Sequence, residues 1–253
     1  MLIKNCKTNL FELQNQCFRS LLKAEFFRER SNELRFIGNE YSGYWLPSDL
    51  LGQRGTIWGV GLGKESTFEY ELMTNGYQFI GFEPEKECFE ASREQFNGTS
   101  AIIENYGLWD KTGLFPYTGE NISIVDIFNL NKAGEVLLDI RSLWDIAQEK
   151  QLQNSKAPRI LKLNIEGAER EILLGLTNNP LNFEVLIFQA EFLFHIGFKR
   201  YKEKVNAYRE LRYILKSFQR IGWTIVDLSR HQITLTNTQI FNHAKIQPLG
   251  ESL

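Results

Sequence analysis

Apolar positions along the chain fall into two rhythms that alternate. Short, nearly unbroken apolar runs recur at Thr56 to Gly63, Tyr77 to Phe82, Ser100 to Glu104, Ile160 to Leu163 and Val185 to Gln189. Runs of that length predict strands buried on both faces, as in a parallel sheet. Between them the apolar positions take helical spacing. Phe68, Leu72 and Met73 belong to a helix that starts near Glu65 and stops at Asn75-Gly76, a good helix C-terminus. Pro84 opens the next helix, where the missing N–H of proline costs nothing, and that helix runs to about Phe96. Further helices are predicted over Ser142 to Lys150, Ala168 to Leu176 and Lys202 to Ile221, the last with Val205, Tyr208, Leu211, Leu215 and Phe218 on one face.

Strand and helix therefore alternate through most of the sequence. Trp223 to Leu228 and Ile233 to Thr236, separated by SRHQ, predict a terminal antiparallel hairpin. The expected fold class is α/β, with a mixed and mostly parallel sheet covered on both faces. Two parts are read differently. Residues from about 8 to 30 form an amphipathic helix with Leu10, Phe11, Gln14, Phe18, Leu21, Leu22 and Phe26 largely on one face. Packing is the default use of such a stripe, and a lid or a homodimer contact is the alternative. EYSGYWLP reads as a loop carrying Tyr44 and Trp45 toward the sheet, GLWDKTG as a loop and turn, and Leu114 to Asp139 as irregular, with short strand-like pieces at Ile122 to Val125 and Glu135 to Leu138. The division is an N-terminal helical extension, 1–40, and one domain, 41–253.

Composition narrows the class. Of 253 residues, 43% are apolar and 24% charged, which is ordinary for a globular chain, and a net charge of −2 argues against a nucleic-acid partner held by electrostatics. Cys6, Cys17 and Cys88 are odd in number and widely spaced, so no disulfide framework or zinc pattern is expected. No stretch approaches the roughly 18 apolar residues of a membrane span, and no signal peptide is read. A soluble, cytoplasmic protein is expected. HExxH, CxxC and carboxylate-dense metal motifs are absent, so no required metal is expected.

Candidate chemistry gathers at two strand ends. ILKLNIEGAER, Ile160 to Arg170, delivers Asn164 and Glu166 to the carboxyl end of a buried strand, with Gly167 opening a helix behind them. An ordinary helix start with an acidic first turn is the competing reading, since Glu169 and Glu171 complement a helix dipole anywhere. The second end is GVGLGKES. A glycine turn after a first strand lets a cofactor approach the backbone, and an acid about 20 residues on accepts from ribose hydroxyls. Glu83 stands at that distance from Gly63. A dinucleotide fingerprint needs glycine or alanine where the chain has Lys64 and Ser66, so a pyrophosphate site does not follow.

The ordered series GYWLP (Gly43 to Pro47), GVGLGKESTFEYEL (Gly59 to Leu72), GFEP (Gly81 to Pro84), GLWDKTG (Gly107 to Gly113), KLNIEGAE (Lys162 to Glu169) and QAEF (Gln189 to Phe192) resembles the FkbM family of S-adenosylmethionine-dependent methyltransferases, in its methyltransferase-like domain branch. The resemblance covers about residues 41 to 236. It implies a class I methyltransferase fold, Rossmann-like, with a mostly parallel seven-stranded sheet, an antiparallel C-terminal hairpin and helices on both faces. It also implies S-adenosylmethionine as cofactor and methyl transfer to a hydroxyl of a sugar or other small molecule. Carried over residue by residue, it assigns cofactor contacts to Gly61, Gly63, Glu83, Trp45, Leu108 and Asn164.

For catalysis or acceptor positioning the order of candidates is Glu166, then Glu191 and His195, with Asn164 beside them. Each has a plainer reading: Glu166 as a helix cap, Glu191 paired with Lys199 or Arg200, His195 as a surface residue, Tyr44 and Trp45 as core. Asn164 stands where the family usually has aspartate, and Ile57 where many methyltransferases have an acid. The first departure motivates the alternative of a catalytically silent methyltransferase-like domain serving as a binding or assembly module. A nicotinamide-dependent oxidoreductase is weakened by the glycine spacing.

Overall fold

A computed structural model of the chain describes residues 2–26, 34–117, 136–151, 159–165, 167–194, 200–229 and 232–238. Seven strands make the main sheet: β3 (Thr56–Val60), β4 (Gln78–Phe82), β5 (Ile102–Glu104), β9 (Arg159–Leu163), β10 (Val185–Gln189), β11 (Trp223–Ser229) and β12 (Gln232–Asn237). Their order across the sheet is β11-β12-β10-β9-β3-β4-β5. All pairings are parallel except those of β12, which runs antiparallel to both β10 and β11. This is the mixed, mostly parallel sheet with a terminal antiparallel hairpin that the apolar pattern predicts.

The strands are apolar on both sides because both sides are covered. Successive residues go to different cores: Ile57, Phe79, Ile160 and Ile187 to one cluster, Trp58, Phe82, Leu161 and Leu186 to the other. The first cluster is capped by Phe68 and Leu72 of α2 (Thr67–Thr74) and by Phe96, just past α3 (Lys86–Gln95). The second is capped by α4 (Leu143–Glu149), α5 (Glu169–Asn178) and α7 (Tyr201–Arg220), through side chains such as Leu143, Ile172, Leu173, Leu211 and Phe218. Burial of this kind is worth roughly 1.5–3 kcal/mol per large apolar side chain before chain entropy is counted. Helix starts follow local chemistry. Glu85 accepts the N–H of Cys88 at the start of α3, and Ser142 that of Asp145 at the start of α4.

Three local readings of the sequence change. EYSGYWLP is not a loop throughout: Tyr44–Pro47 is a strand, β2, paired antiparallel with β1 (Leu34–Ile37). The hairpin they form joins residues on both sides of position 40. GLWDKTG contributes Gly107–Trp109 as β6, and the last of its residues starts β7 (Gly113–Tyr117). With β8 (Val136–Ser142) these build a small second sheet in the order β6-β8-β7. Strands of three and four residues are too short to show a period of two. The strand-like piece at Ile122 to Val125 lies outside the described residues.

The N-terminal helix α1 spans Leu2–Phe26. It buries Phe18, Leu22 and Phe26 against its own chain and leaves Leu13 and Leu21 exposed. Phe18 meets Tyr208 at 5.0 Å between ring centroids, and Glu25 pairs with Arg212 and Lys216. Asn15 donates to the carbonyl of Phe194 at 3.4 Å, so α1 is braced on α7 and on the short helix α6 (Glu191–Phe194).

Candidate ligand and catalytic site

The sheet order reverses between β3 and β9: from β3 the chain proceeds to β4 and β5 on one side, and from β9 to β10 on the other. A crevice opens at the carboxyl ends of such a strand pair. The two strand ends singled out in the sequence meet there. The N–H of Asn164 donates to the carbonyl of Val60 at 2.9 Å, and that of Gly61 to Phe82 at 3.0 Å. Gly61 has φ +74, and a Cβ on it would stand 2.0 Å from the Asn164 carbonyl oxygen. No other residue fits. Gly63, with φ +60, is the opposite case: a Cβ there would meet none of the described residues within 4 Å, so among them the turn faces open space at this point.

Glu83, at the end of β4, holds that turn by its amides. Its Oε2 accepts the N–H groups of Leu62 and Gly63, both at 2.9 Å, and its Oε1 accepts that of Glu85 at 3.0 Å. Each carboxylate oxygen has two lone pairs, so one lone pair of Oε1 remains. Glu83 is 6% exposed. Burial pushes its carboxyl above the usual range, and the three backbone donors pull it back.

Beneath the turn is an ion pair that sequence reasoning missed. Lys162, in the middle of β9, lies 3.0 Å from Glu69 of α2, and both side chains are shut off from solvent. The same Nζ donates to the Gly61 carbonyl at 3.2 Å and lies 6.0 Å from the centroid of the Tyr44 ring. Burial alone would depress the ammonium, but Glu69, with Tyr44 and Glu83 adding to it, holds it above the ordinary lysine value. The Tyr44 hydroxyl accepts from Gln189 Nε2 at 3.0 Å. Desolvation raises its phenol, opposed by Lys162 and Gln189.

A second missed residue joins the β9 and β10 ends. Glu169, with no exposure at all, accepts the N–H of Gly167 at 2.7 Å on Oε2. On Oε1 it accepts those of Glu191 at 2.9 Å and Phe192 at 3.4 Å. Burial pushes this carboxyl up to about 7 against the pull of these donors. The hint was present in KLNIEGAE, whose first and last residues are the buried Lys162 and Glu169. A lysine inside an apolar strand calls for a buried counter-charge, but nothing in the sequence says that Glu69 supplies it.

Gly61, Gly63, Glu83 and Asn164 are thus brought together. Asn164 Oδ1 is shielded from solvent and has no hydrogen-bond partner among the described residues. Glu191 is 6% exposed, on the β10 side, within electrostatic range of Tyr44. Trp45 projects from the other face of β2, where its ring meets Phe36 at 5.3 Å and its carbonyl accepts from Thr234. Its neighbour Tyr44 is the aromatic turned to the centre. Leu108 is buried in β6 as part of the larger core cluster. Glu166 and His195 lie outside the described residues.

Among the described residues no three His, Cys, Asp or Glu side chains cluster to hold a metal, and no helix is long and apolar enough to cross a membrane. A groove of about 430 Å³ is lined by Asp110, Trp144, Glu171 and Asn179 among others, and by none of the predicted site residues. No protein-family model and no curated protein matches the sequence. Solved structures with a distant likeness include a fibrillarin/Nop5p complex and an O-methyltransferase from Bacillus cereus in complex with SAH. The first is 11% identical with a TM-score of 0.33, covering 73% of this chain and 71% of that one. The second is 11% identical with a TM-score of 0.36, covering 75% and 76%.

Proposed function

We propose that the chain is an S-adenosylmethionine-dependent methyltransferase whose acceptor is a hydroxyl of a saccharide or other small molecule. One observation carries the reading. At the switch point, the open side of the Gly63 turn, the spare lone pair of Glu83 and the orphan acceptor of Asn164 come from three strand ends that converge. A buried acceptor with no donor among the described residues is suited to one from a ligand. The nucleoside end of S-adenosylmethionine offers ribose hydroxyls to Glu83, and its amino-acid end an ammonium group. The residues present therefore fit the cofactor, and the motif resemblance points the same way.

The cofactor, when bound, supplies an activated methyl group. What remains for the protein is orientation and exclusion of water. Gly63 lets the ligand lie against the backbone, Gly61 lets the turn close on the β9 end that carries Asn164, Glu83 takes the ribose, and Asn164 accepts from the ligand without being able to take up a proton as a carboxylate would. Glu166, Glu191 and His195 are the groups proposed to position the acceptor hydroxyl or receive its proton.

Calorimetry with S-adenosylmethionine, S-adenosylhomocysteine and NAD tests the assignment. Both sulfur nucleosides are expected to bind and NAD is not. Tight NAD binding with neither sulfur nucleoside bound sinks the proposal.

A further inference from the structure

The burial of Lys162 and Glu69 is unexplained by stability. Taking two charges out of water costs several kcal/mol per ion, and replacing such a pair by apolar side chains of similar volume is often neutral or stabilising. Here the cost is compounded, since Glu69 Oε2 has no hydrogen-bond partner among the described residues. The backbone opposite the pair is crowded as well. Gly59 sits opposite Lys162 in the β3–β9 register, and a Cβ on it would stand 3.0 Å from the Phe79 ring, 3.1 Å from Leu62 and 3.2 Å from Glu69 Oε1. The first glycine of GVGLG thus leaves room for two apolar side chains and one member of the ion pair, while the third faces open space among the described residues.

What the pair touches is the turn. Lys162 Nζ donates to the Gly61 carbonyl from below, and the two peptide N–H groups that follow, on Leu62 and Gly63, point to Glu83. The turn is held between a cation on its carbonyl and an anion on its amides. A lysine reaching across from β9 does this most strongly while it is ionised and kept from turning elsewhere, and Glu69 favours both conditions at 3.0 Å.

We infer that Lys162, held by Glu69, is a positioning residue for the ligand-binding glycine turn and acts on it through the Gly61 carbonyl. Glu69 serves the same task by fixing Lys162. The effect on ligand binding rests on the methyltransferase reading, whereas the effect on the turn does not.

The test uses the paired replacement Lys162→Met with Glu69→Leu, which leaves no uncompensated charge. The variant is expected to unfold cooperatively at or above the parent's melting temperature. Amide exchange at Leu62 and Gly63 is expected to speed up by about tenfold or more, with Ile57 and Trp58 in β3 unchanged. Its affinity for S-adenosylhomocysteine is expected to fall by about tenfold or more. Unchanged exchange at the two turn amides, or faster exchange with unchanged affinity, overturns the inference. If the parent binds no sulfur nucleoside, the methyltransferase proposal fails and the exchange result alone decides this one. A measurement on the parent covers a variant that does not fold: a scalar coupling across the hydrogen bond between Lys162 Nζ and the Gly61 carbonyl carbon is expected, and its absence from a resolved ammonium signal overturns the inference.

Discussion

Glu169 accepts the backbone N–H of Glu191 at 2.9 Å while its other oxygen accepts that of Gly167, so one buried carboxyl ties the exit of β9 to the exit of β10. Its folded value of about 7 lies above the ordinary carboxyl value. The folded state therefore binds this proton more tightly than the unfolded state does. The stabilisation is complete below the unfolded value and is lost as pH rises through about 7. Between pH 5 and pH 8 this one group should remove about 2 kcal/mol of stability from the parent. Glu169→Gln cannot titrate, so denaturant unfolding of the two proteins should show the parent's relative advantage shrinking by that amount. An equal difference at both pH values would show that Glu169 titrates as an ordinary carboxyl.

Gly61 and Gly63 should separate folding from binding. Gly61→Ala drives a Cβ onto the Asn164 carbonyl at a left-handed backbone position, and the overpacking and backbone terms together cost about 2–4 kcal/mol. Gly63→Ala meets no atom of the described residues within 4 Å and should cost about 1 kcal/mol for its backbone alone. On the proposed function its methyl group projects into the ligand's space. Thermal melts should rank Gly61→Ala as far the worse, whereas calorimetry should find S-adenosylhomocysteine binding weakened in both.

Glu83→Ala removes the acceptor for three backbone N–H groups together with the proposed ribose contact. Loss of charge-assisted hydrogen bonding of this kind costs on the order of 1.5–3 kcal/mol, or about ten- to a hundredfold in affinity. Glu83→Gln keeps one acceptor oxygen and should fall between parent and Ala. A folded Glu83→Ala protein that titrates with S-adenosylhomocysteine as the parent does would remove Glu83 from the site.

At the opposite end of β9, Arg159 and Glu184 form a buried ion pair at 2.8 Å, with side chains only 3% and 8% exposed. Glu184→Ala removes this carboxylate from beside the buried guanidinium and should cost about 3–5 kcal/mol. Because Arg159 opens the strand that Asn164 follows, ligand affinity in the folded fraction should not change. Denaturant unfolding beside calorimetry makes the comparison.

On the proposed function, Asn164 and Glu166 have different roles. Asn164→Asp should keep cofactor binding and measurable turnover, while Glu166→Gln should lose most turnover and stay folded. The reverse ranking would exchange the roles. If parent and Asn164→Asp both bind S-adenosylmethionine but neither turns over any acceptor in a broad screen, the silent-domain reading replaces the enzyme.

The convergence of Gly61, Gly63, Glu83 and Asn164 was legible because each carries a local signal: a glycine after an apolar run, an acid at a set spacing, polar side chains at a strand end. The order of elements was legible for the same reason. What each acid faces was not. Glu83 read as a ribose ligand and also holds the turn by its amides, and Glu169 read as a helix-dipole partner and in fact bridges two strand ends. Such partners are fixed by which faces meet, and Gly61 and Lys162 meet across a separation of 101 residues. The β1–β2 hairpin and β6 escaped because strands of three and four residues show no alternation, while β8 was legible only as the strand-like piece at Glu135 to Leu138.

That separation also orders events in time. A chain emerging from the ribosome makes β3, α2 and β4 long before β9 exists, so Glu69 has no counter-charge and the Gly61 turn nothing beneath it. Closing so long a loop is entropically slow, and the half-built sheet exposes the flank of β3 until β9 arrives. The ligand seat is therefore completed by the second half of the molecule, and a nascent chain stopped before Arg159 would carry most of the seat's residues and none of its shape.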